Sequence, residues 1–270
     1  MLRDITIGQY LNVDSVVHRL DPRSKFLSLN IFMITLFMMP SIYSYIPVAL
    51  MLGATIYAAK IPFSKILKGL KPVMFLLVIA FVLNIFMIEG EGDPLFHYGI
   101  FRVYMDGIRR ATYMALRLIL LVVGTSVLTL TTSPIEMTDA VEYLLKPLKV
   151  IKVPAHEIAM MMTIALRFIP TLLNETDKIM KAQMSRGADF ETGSIFKRAK
   201  AMVPLFIPLF VSAFRRADDL AVAMEARCYR GGVGRTRMKI LKFSPRDYMV
   251  MLAISLIMLL SYYVGVLYPL

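Results

Sequence analysis

Two arginines at the ends of predicted helices carry the clearest chemical signature in this chain of 270 residues. Residues 182–187 read AQMSRG and residues 223–228 read AMEARC, so both have the form Ala-x-x-small-Arg-small. Small neighbours leave a guanidinium unshielded, and each arginine can then offer a planar fork of donors to a partner. The alternative is that each arginine only caps its own helix, where the helix dipole favours a positive charge. The candidate docking residues are Ser185, Arg186, Gly187, Ala226, Arg227 and Cys228.

Other residues with reactive side chains do not form a recognisable site. His156 and Glu157 begin like a zinc-protease helix, but Met160 stands where that motif needs its second histidine. The sequence has no phosphate loop of the Walker type and no arguable Ser-His-Asp set. We therefore predict a chain that binds no metal or cofactor and catalyses no reaction itself.

The helices that carry the arginines lie between residues 133 and 247. Ser133, Pro134 and Glu136 are suited to an N-cap, a first helical position and a capping box, and they predict a helix that ends near Leu145. Two longer helices follow, and each has an apolar first half and an amphipathic second half.

The first of these longer helices is predicted to begin near Pro154, and its apolar part, Ile158–Leu166, is too short to span a membrane. The second is apolar from Ala201 to Phe214. Its charged residues 215–219 are spaced for ion pairs within the helix.

The composition indicates an integral membrane protein. Hydrophobic residues make up 57% of the chain and charged residues only 19%, below the roughly 25% of a soluble domain. The mean hydropathy is +0.64. These values exclude a disordered chain, a collagen-like repeat and an ordinary soluble enzyme. We attribute the net charge of +12 to cytoplasmic loops rather than to nucleic-acid binding.

Five membrane spans are predicted. Residues 26–59 carry no charge, but as one helix they would extend about 51 Å across a core about 30 Å thick. Pro40 and Pro47 therefore predict a hairpin of two slightly short helices, near Ser24–Met39 and Ile42–Ala59. The other predicted spans are residues 72–88, 108–132 and 248–270.

The basic residues orient these spans. All but four of the 31 Lys and Arg residues then lie inside, as expected of cytoplasmic segments. We predict a multi-pass protein of the cell (plasma) membrane with its N-terminus cytoplasmic and its C-terminus outside. Residues 1–132 and 248–270 would form the membrane region and residues 133–247 a cytoplasmic coupling domain. Arg117, a costly charge inside the fourth span, is expected to pair with Asn84.

The fold class predicted is an all-α integral membrane protein. It has about five transmembrane helices and three cytoplasmic helices, of which the last two are long and amphipathic in their C-terminal halves. Methionine is flexible and recurs on surfaces that accept several partners. We hypothesise a subunit-binding surface, the alternative being lipid-facing or core filling, made of Met160, Met161, Met162, Met180, Met184, Met202 and Met224.

Several sequence segments resemble the T components (EcfT) of energy-coupling factor transporters, and the resemblance extends over nearly the whole chain. They are residues 14–25 (DSVVHRLDPRSK), 132–134, 138–140, 165–171 and, most specifically, 181–190 (KAQMSRGADF). Cys228 stands where that family often has Ser or Gly, so the second motif keeps a small residue there.

The resemblance implies a non-catalytic scaffold of an ATP-driven importer of a vitamin or metal ion. Such a scaffold joins two ABC-type ATPases, as a homo- or heterodimer, to a small substrate-binding membrane subunit. Each arginine motif would dock on one ATPase, and ATP and Mg would be bound by those partners. The resemblance does not specify the substrate.

Two other classes of function remain open. An integral membrane enzyme would need clustered acids or histidines near a membrane face, and the adjacent acids Asp218 and Asp219 have arginines close by. A stand-alone carrier would need inverted repeats or helices broken at the midplane. Co-purifying ATPases would distinguish the scaffold from both.

Overall fold

The computed structural model describes residues 10–87, 96–98, 101–190, 194–231 and 241–268. Most of these residues are helical, which confirms the predicted all-α class. A short ribbon of β1 (Phe96–Tyr98) and β2 (Phe101–Val103) pairs His97 with Arg102. The helices are α1 (Pro22–Met38), α2 (Tyr45–Ala58), α3 (Phe63–Met87), α4 (Met105–Thr131), α5 (Pro134–Leu145), α6 (Ala155–Ser185), α7 (Ile195–Ala226) and α8 (Pro245–Leu267), with 3₁₀ turns at Ile42–Ser44 and Lys146–Ile151.

Each of the five predicted spans corresponds to one helix: α1, α2, α3, α4 and α8. Of these, α3, α4 and α8 are long and apolar enough to cross a membrane. The first two are shorter, with 17 residues in α1 and 14 in α2, because together they share one uncharged run. The predicted division of residues 26–59 into two helices is therefore confirmed.

The structure adds to the sequence analysis at two helices. The third span was expected to start at Pro72, but α3 begins at Phe63 and contains Pro72 in its interior, as membrane helices tolerate. The apolar start of the helix after Pro154 was expected to be too short to span. As expected, the helix continues through Pro170; α6 has 31 residues, and by length and composition the whole helix is a further candidate span.

Helices α1, α2, α3, α4 and α8 form one compact unit, here called the five-helix unit. Within it α1 and α2 both contact α4 and α8, while α3 packs along α4. Leu36, Val48, Leu130 and Met258 are almost completely buried between these helices. Because lipid is as apolar as such a core, these contacts stabilise the unit through close packing rather than through transfer from water.

A buried carboxylate joins the starts of α1 and α8. Asp247 is 2% exposed and completes a capping box with Ser244 at the start of α8. It also accepts hydrogen bonds from the backbone N–H of Asp21 at 2.8 Å and from the Ser24 hydroxyl at 3.0 Å. Since Asp21 is the N-cap of α1, one side chain fixes two helix entries side by side.

The chain divides into two compact units, and each is considered by itself. The five-helix unit holds residues 8–140 and 241–270; the other holds residues 1–7 and 141–240 and contains α6 and α7. We call the latter the two-helix unit. The predicted domains, 1–132, 133–247 and 248–270, were drawn by side of the membrane and stay a prediction.

Candidate functional site

Helices α6 and α7 run antiparallel where they contact. An oxygen of Glu175 on α6 accepts a hydrogen bond from the Arg216 guanidinium on α7 at 3.0 Å. Further along, Met160 near the start of α6 and Met224 near the end of α7 line one cavity. Arg216 thus pairs with the neighbouring helix in place of the pairing within α7 expected for residues 215–219.

The end of α6 forms a two-bond turn around Gly187. The N–H of Gly187 donates to the Met184 carbonyl and the N–H of Ala188 donates to the Gln183 carbonyl, both at 3.0 Å. Gly187 has a φ of +85°, the left-handed conformation that this Schellman arrangement needs. Arg186 is therefore the C-cap residue, set at the turn where the helix stops.

The end of α7 repeats this geometry with cysteine in the glycine position. The N–H of Cys228 donates to the Glu225 carbonyl at 2.8 Å, and the N–H of Tyr229 donates to the Met224 carbonyl at 3.0 Å. Cys228 has a φ of +57°, which strains a residue that carries a side chain. Arg227 is the C-cap residue here. The shared six-residue pattern thus corresponds to one local structure formed twice.

Both guanidinium groups are available to a partner. Arg186 and Arg227 are exposed, and their small neighbours Ser185, Ala226 and Cys228 are exposed as well. Within the described residues neither guanidinium has a hydrogen bond or ion pair, so neither side chain caps its own helix there. Their docking on ATPases stays a prediction.

The two arginines lie at opposite ends of the α6–α7 pair. Arg227 lines a cavity with Met160 near the start of α6, whereas Arg186 follows the end of α6. Met160 and Arg186 are 26 residues apart in sequence, which is about 39 Å along a helix. One small binding site could not contact both arginines, so any docking uses two separate sites.

The seven candidate methionines do not share one surface. Met160 and Met224 both line the cavity between α6 and α7, and Met180 is partly buried. The remaining four are exposed, but Met161 and Met162 are consecutive and point in different directions on a helix. Their role in binding a subunit stays a prediction. The exposed ones are Met161, Met162, Met184 and Met202.

Helix α7 carries an exposed apolar stripe that the sequence analysis did not predict. Val203, Ile207, Phe210 and Phe214 recur at spacings of three and four residues, and each is at least half exposed. The spacing of three and four residues is visible in the sequence, but residues 201–214 were described there only as apolar.

Arg117 has a partner different from the one expected. Its Nε donates to the Tyr45 hydroxyl at 3.3 Å, and its guanidinium lies 5.6 Å from the centre of the Phe37 ring. The amide of Asn84 instead donates to the Ala80 carbonyl at 2.7 Å. The predicted Arg117–Asn84 pair is therefore wrong, and Arg117 joins α4 to the hairpin of α1 and α2.

Comparisons with known proteins agree on one family. A family model described as cobalt transport protein (CbiQ) matches residues 14–240. A relative from Clostridium kluyveri is 56% identical over 97% of both chains, and one from Ruminiclostridium cellulolyticum is 55% identical over 93% of both. A relative from Bacillus subtilis is 46% identical over 97% of this chain and 99% of its own. All three are named energy-coupling factor transporter transmembrane protein EcfT.

Proposed function

Because the chain belongs to the cobalt transport protein (CbiQ) family and is a non-catalytic transmembrane component of an energy-coupling factor transporter, we propose that it joins two ABC-type ATPases to a substrate-binding membrane subunit. The transporter would import a micronutrient, a vitamin or a metal ion, that the other membrane subunit selects. The ATPases would bind ATP and Mg and hydrolyse the ATP.

The observation that carries this proposal is that α6 and α7 end in the same local structure, each with an exposed arginine. Arg186 and Arg227 each follow the last residue of a long helix, and each is exposed. Each lies in its own Schellman turn, and the two turns have the same hydrogen-bond pattern. A guanidinium there presents up to five donors beyond the helix, which suits a groove lined with carboxylates and carbonyls. Their separation along α6 favours two ATPases, one for each arginine.

The link from ATPase to substrate-binding subunit would run along α6 and α7. The Glu175–Arg216 ion pair joins the two helices. A displacement imposed at Arg186 or at Arg227 would therefore move both helices. The exposed apolar stripe around Phe210 on α7 offers a face for a membrane subunit. ATP-driven closure of the ATPases would move this face and so act on the bound subunit.

The proposed orientation follows from the same roles. ATPases are supplied with ATP in the cytoplasm, so Arg186 and Arg227 would lie on the cytoplasmic side. The N-terminus would then lie inside and the C-terminus outside, as the distribution of basic residues predicts. A protease or label applied from outside intact cells would reach the C-terminus but neither arginine motif.

Charge reversal at the two arginines tests the proposal. The Arg186→Glu, Arg227→Glu double variant should enter the membrane normally but fail to co-purify with the ATPases and fail to support ATP-driven uptake. Arg215→Glu is the matched control, because Arg215 is an exposed arginine of α7 outside both motifs. A double variant that still assembled and transported like the control would remove the proposed mechanism.

A further inference from the structure

A cavity of about 390 Å³ lies inside the five-helix unit. The start of α1, the end of α2, the end of α4 and the start of α8 form its walls, and the loop before α1 contributes Val16 and Val17. The lining is almost wholly apolar. Nine lining residues are buried: Ser24, Lys25, Ser28, Phe32, Leu52, Gly124, Val127, Leu128 and Thr131.

One hydroxyl in this cavity has no partner. The Ser28 side chain is 7% exposed, lines the cavity, and has no hydrogen-bond partner among the described residues. Most hydroxyls in the middle of these helices instead donate to the carbonyl four residues back, as Thr55, Ser126 and Ser255 do. A buried hydroxyl without a partner is costly, so Ser28 has a donor to give to whatever occupies the cavity.

The lining of the cavity favours an acyl chain. Its walls are almost wholly apolar, and it is partly open to the outside of the five-helix unit. An acyl chain is narrow and apolar, and its ester carbonyl accepts the kind of hydrogen bond that Ser28 can donate.

The charge at one side of the cavity suits a phosphate. Lys60 follows the lining residue Ala58 at the end of α2, is exposed, and has no ion pair within the described chain. Hydrogen bonding from Arg19 and, more weakly, the charge of Lys60 hold the pKa of Asp14 below its usual value. Asp14 forms its ion pair with Arg19, so the Lys60 ammonium has no close anionic partner in the described chain and can meet an anionic headgroup.

From these features we infer that the cavity binds one acyl chain of an anionic membrane phospholipid, with an ester carbonyl at Ser28 and the phosphate at Lys60. The lipid would fill the space between α1, α2, α4 and α8 as a structural component. This inference concerns the five-helix unit alone and does not depend on the proposed docking of the ATPases.

Native mass spectrometry of the full chain, extracted in mild detergent and delipidated stepwise, tests the inference. The wild type should retain one phospholipid after the others are removed. Ala253→Phe and Ala54→Leu, which fill the cavity from α8 and from α2, should both lose it. Ser28→Ala should weaken retention about three- to tenfold, the usual effect of one hydrogen bond. Ser255→Ala, whose hydroxyl bonds its own helix outside the cavity, should not.

The headgroup is tested by adding back lipids of known charge. Phosphatidylglycerol should rebind more tightly than phosphatidylcholine, and Lys60→Gln should remove most of the difference, whereas Lys65→Gln on α3 should leave it unchanged. No retained phospholipid in the wild type, or equal retention in both filled variants, would overturn the inference. So would loss of the lipid whenever the whole transporter assembles, because a partner segment would then be the occupant.

Discussion

Replacing Gly265 by alanine should destabilise the five-helix unit, because α8 passes very close to the tip of the α1–α2 hairpin there. A Cβ at Gly265 would overlap the Ser44 hydroxyl oxygen and would lie 3.0 Å from two ring carbons of Pro40. Ordinary contacts between heavy atoms are about 3.5–4.0 Å. The helices would have to separate locally, and the proline ring cannot rotate away.

The magnitude follows from two opposing effects. Overpacking of this kind costs about 1–3 kcal/mol. Alanine is about 1 kcal/mol more favourable than glycine inside a helix. Because the added Cβ overlaps the Ser44 oxygen, the upper part of the overpacking range applies, and we expect Gly265→Ala to lower the free energy of unfolding by about 1–2 kcal/mol. Gly53→Ala on α2 is the matched control, because its Cβ would meet nothing within 4 Å and the variant should be slightly more stable than wild type.

Unfolding of the purified protein in mixed micelles with increasing SDS measures both variants. Ser44→Ala sharpens the test, since the Ser44 hydroxyl has no hydrogen-bond partner among the described residues and its loss should cost little. In the Gly265→Ala background it should recover about half of the lost stability, with Pro40 responsible for the rest. A Gly265→Ala protein as stable as Gly53→Ala would refute the reasoning.

Three further outcomes are expected. Cys228→Gly should stabilise the end of α7 by about 1 kcal/mol, because glycine adopts a φ of +57° without strain; thermal unfolding that is unchanged or lowered would contradict this. A double-mutant cycle with Glu175→Gln and Arg216→Gln should give a coupling of about 0.5–1 kcal/mol, as expected of a partly exposed pair, and a coupling near zero would mean that the two helices are not fastened there. Asp247→Asn should cost about 1–3 kcal/mol by leaving a buried N–H unpaired, and a neutral result in the same SDS titration would argue against its role in joining α1 and α8.

The sequence was sufficient for the features that depend on neighbours along the chain. The capping box of Ser133 and Glu136 is present, at 3.3 Å and 3.4 Å, and α5 ends at Leu145 as predicted. The hairpin of α1 and α2 followed from the length of one uncharged run and two prolines. These signals act over a few residues and need no knowledge of packing.

Features that depend on distant contacts could not be predicted in this way. Tyr45 is 72 residues from Arg117, and only the relative rotation of α2 and α4 makes them partners. The start of α3 was missed because its lysines lower the local hydropathy without preventing a helix. The free Ser28 hydroxyl depends on one side-chain rotamer, which sequence spacing does not determine.

The docking of two ATPases on two separate arginine motifs can be tested most directly with the chain's single cysteine. Cys228 is exposed and directly follows Arg227, so it reports on that motif without substitution. A Gly187→Cys, Cys228→Gly variant moves the thiol to the equivalent position after Arg186. We expect maleimide to label each thiol rapidly in the isolated chain and much more slowly in the assembled transporter. Equal labelling rates at either position with and without the ATPases would contradict the account.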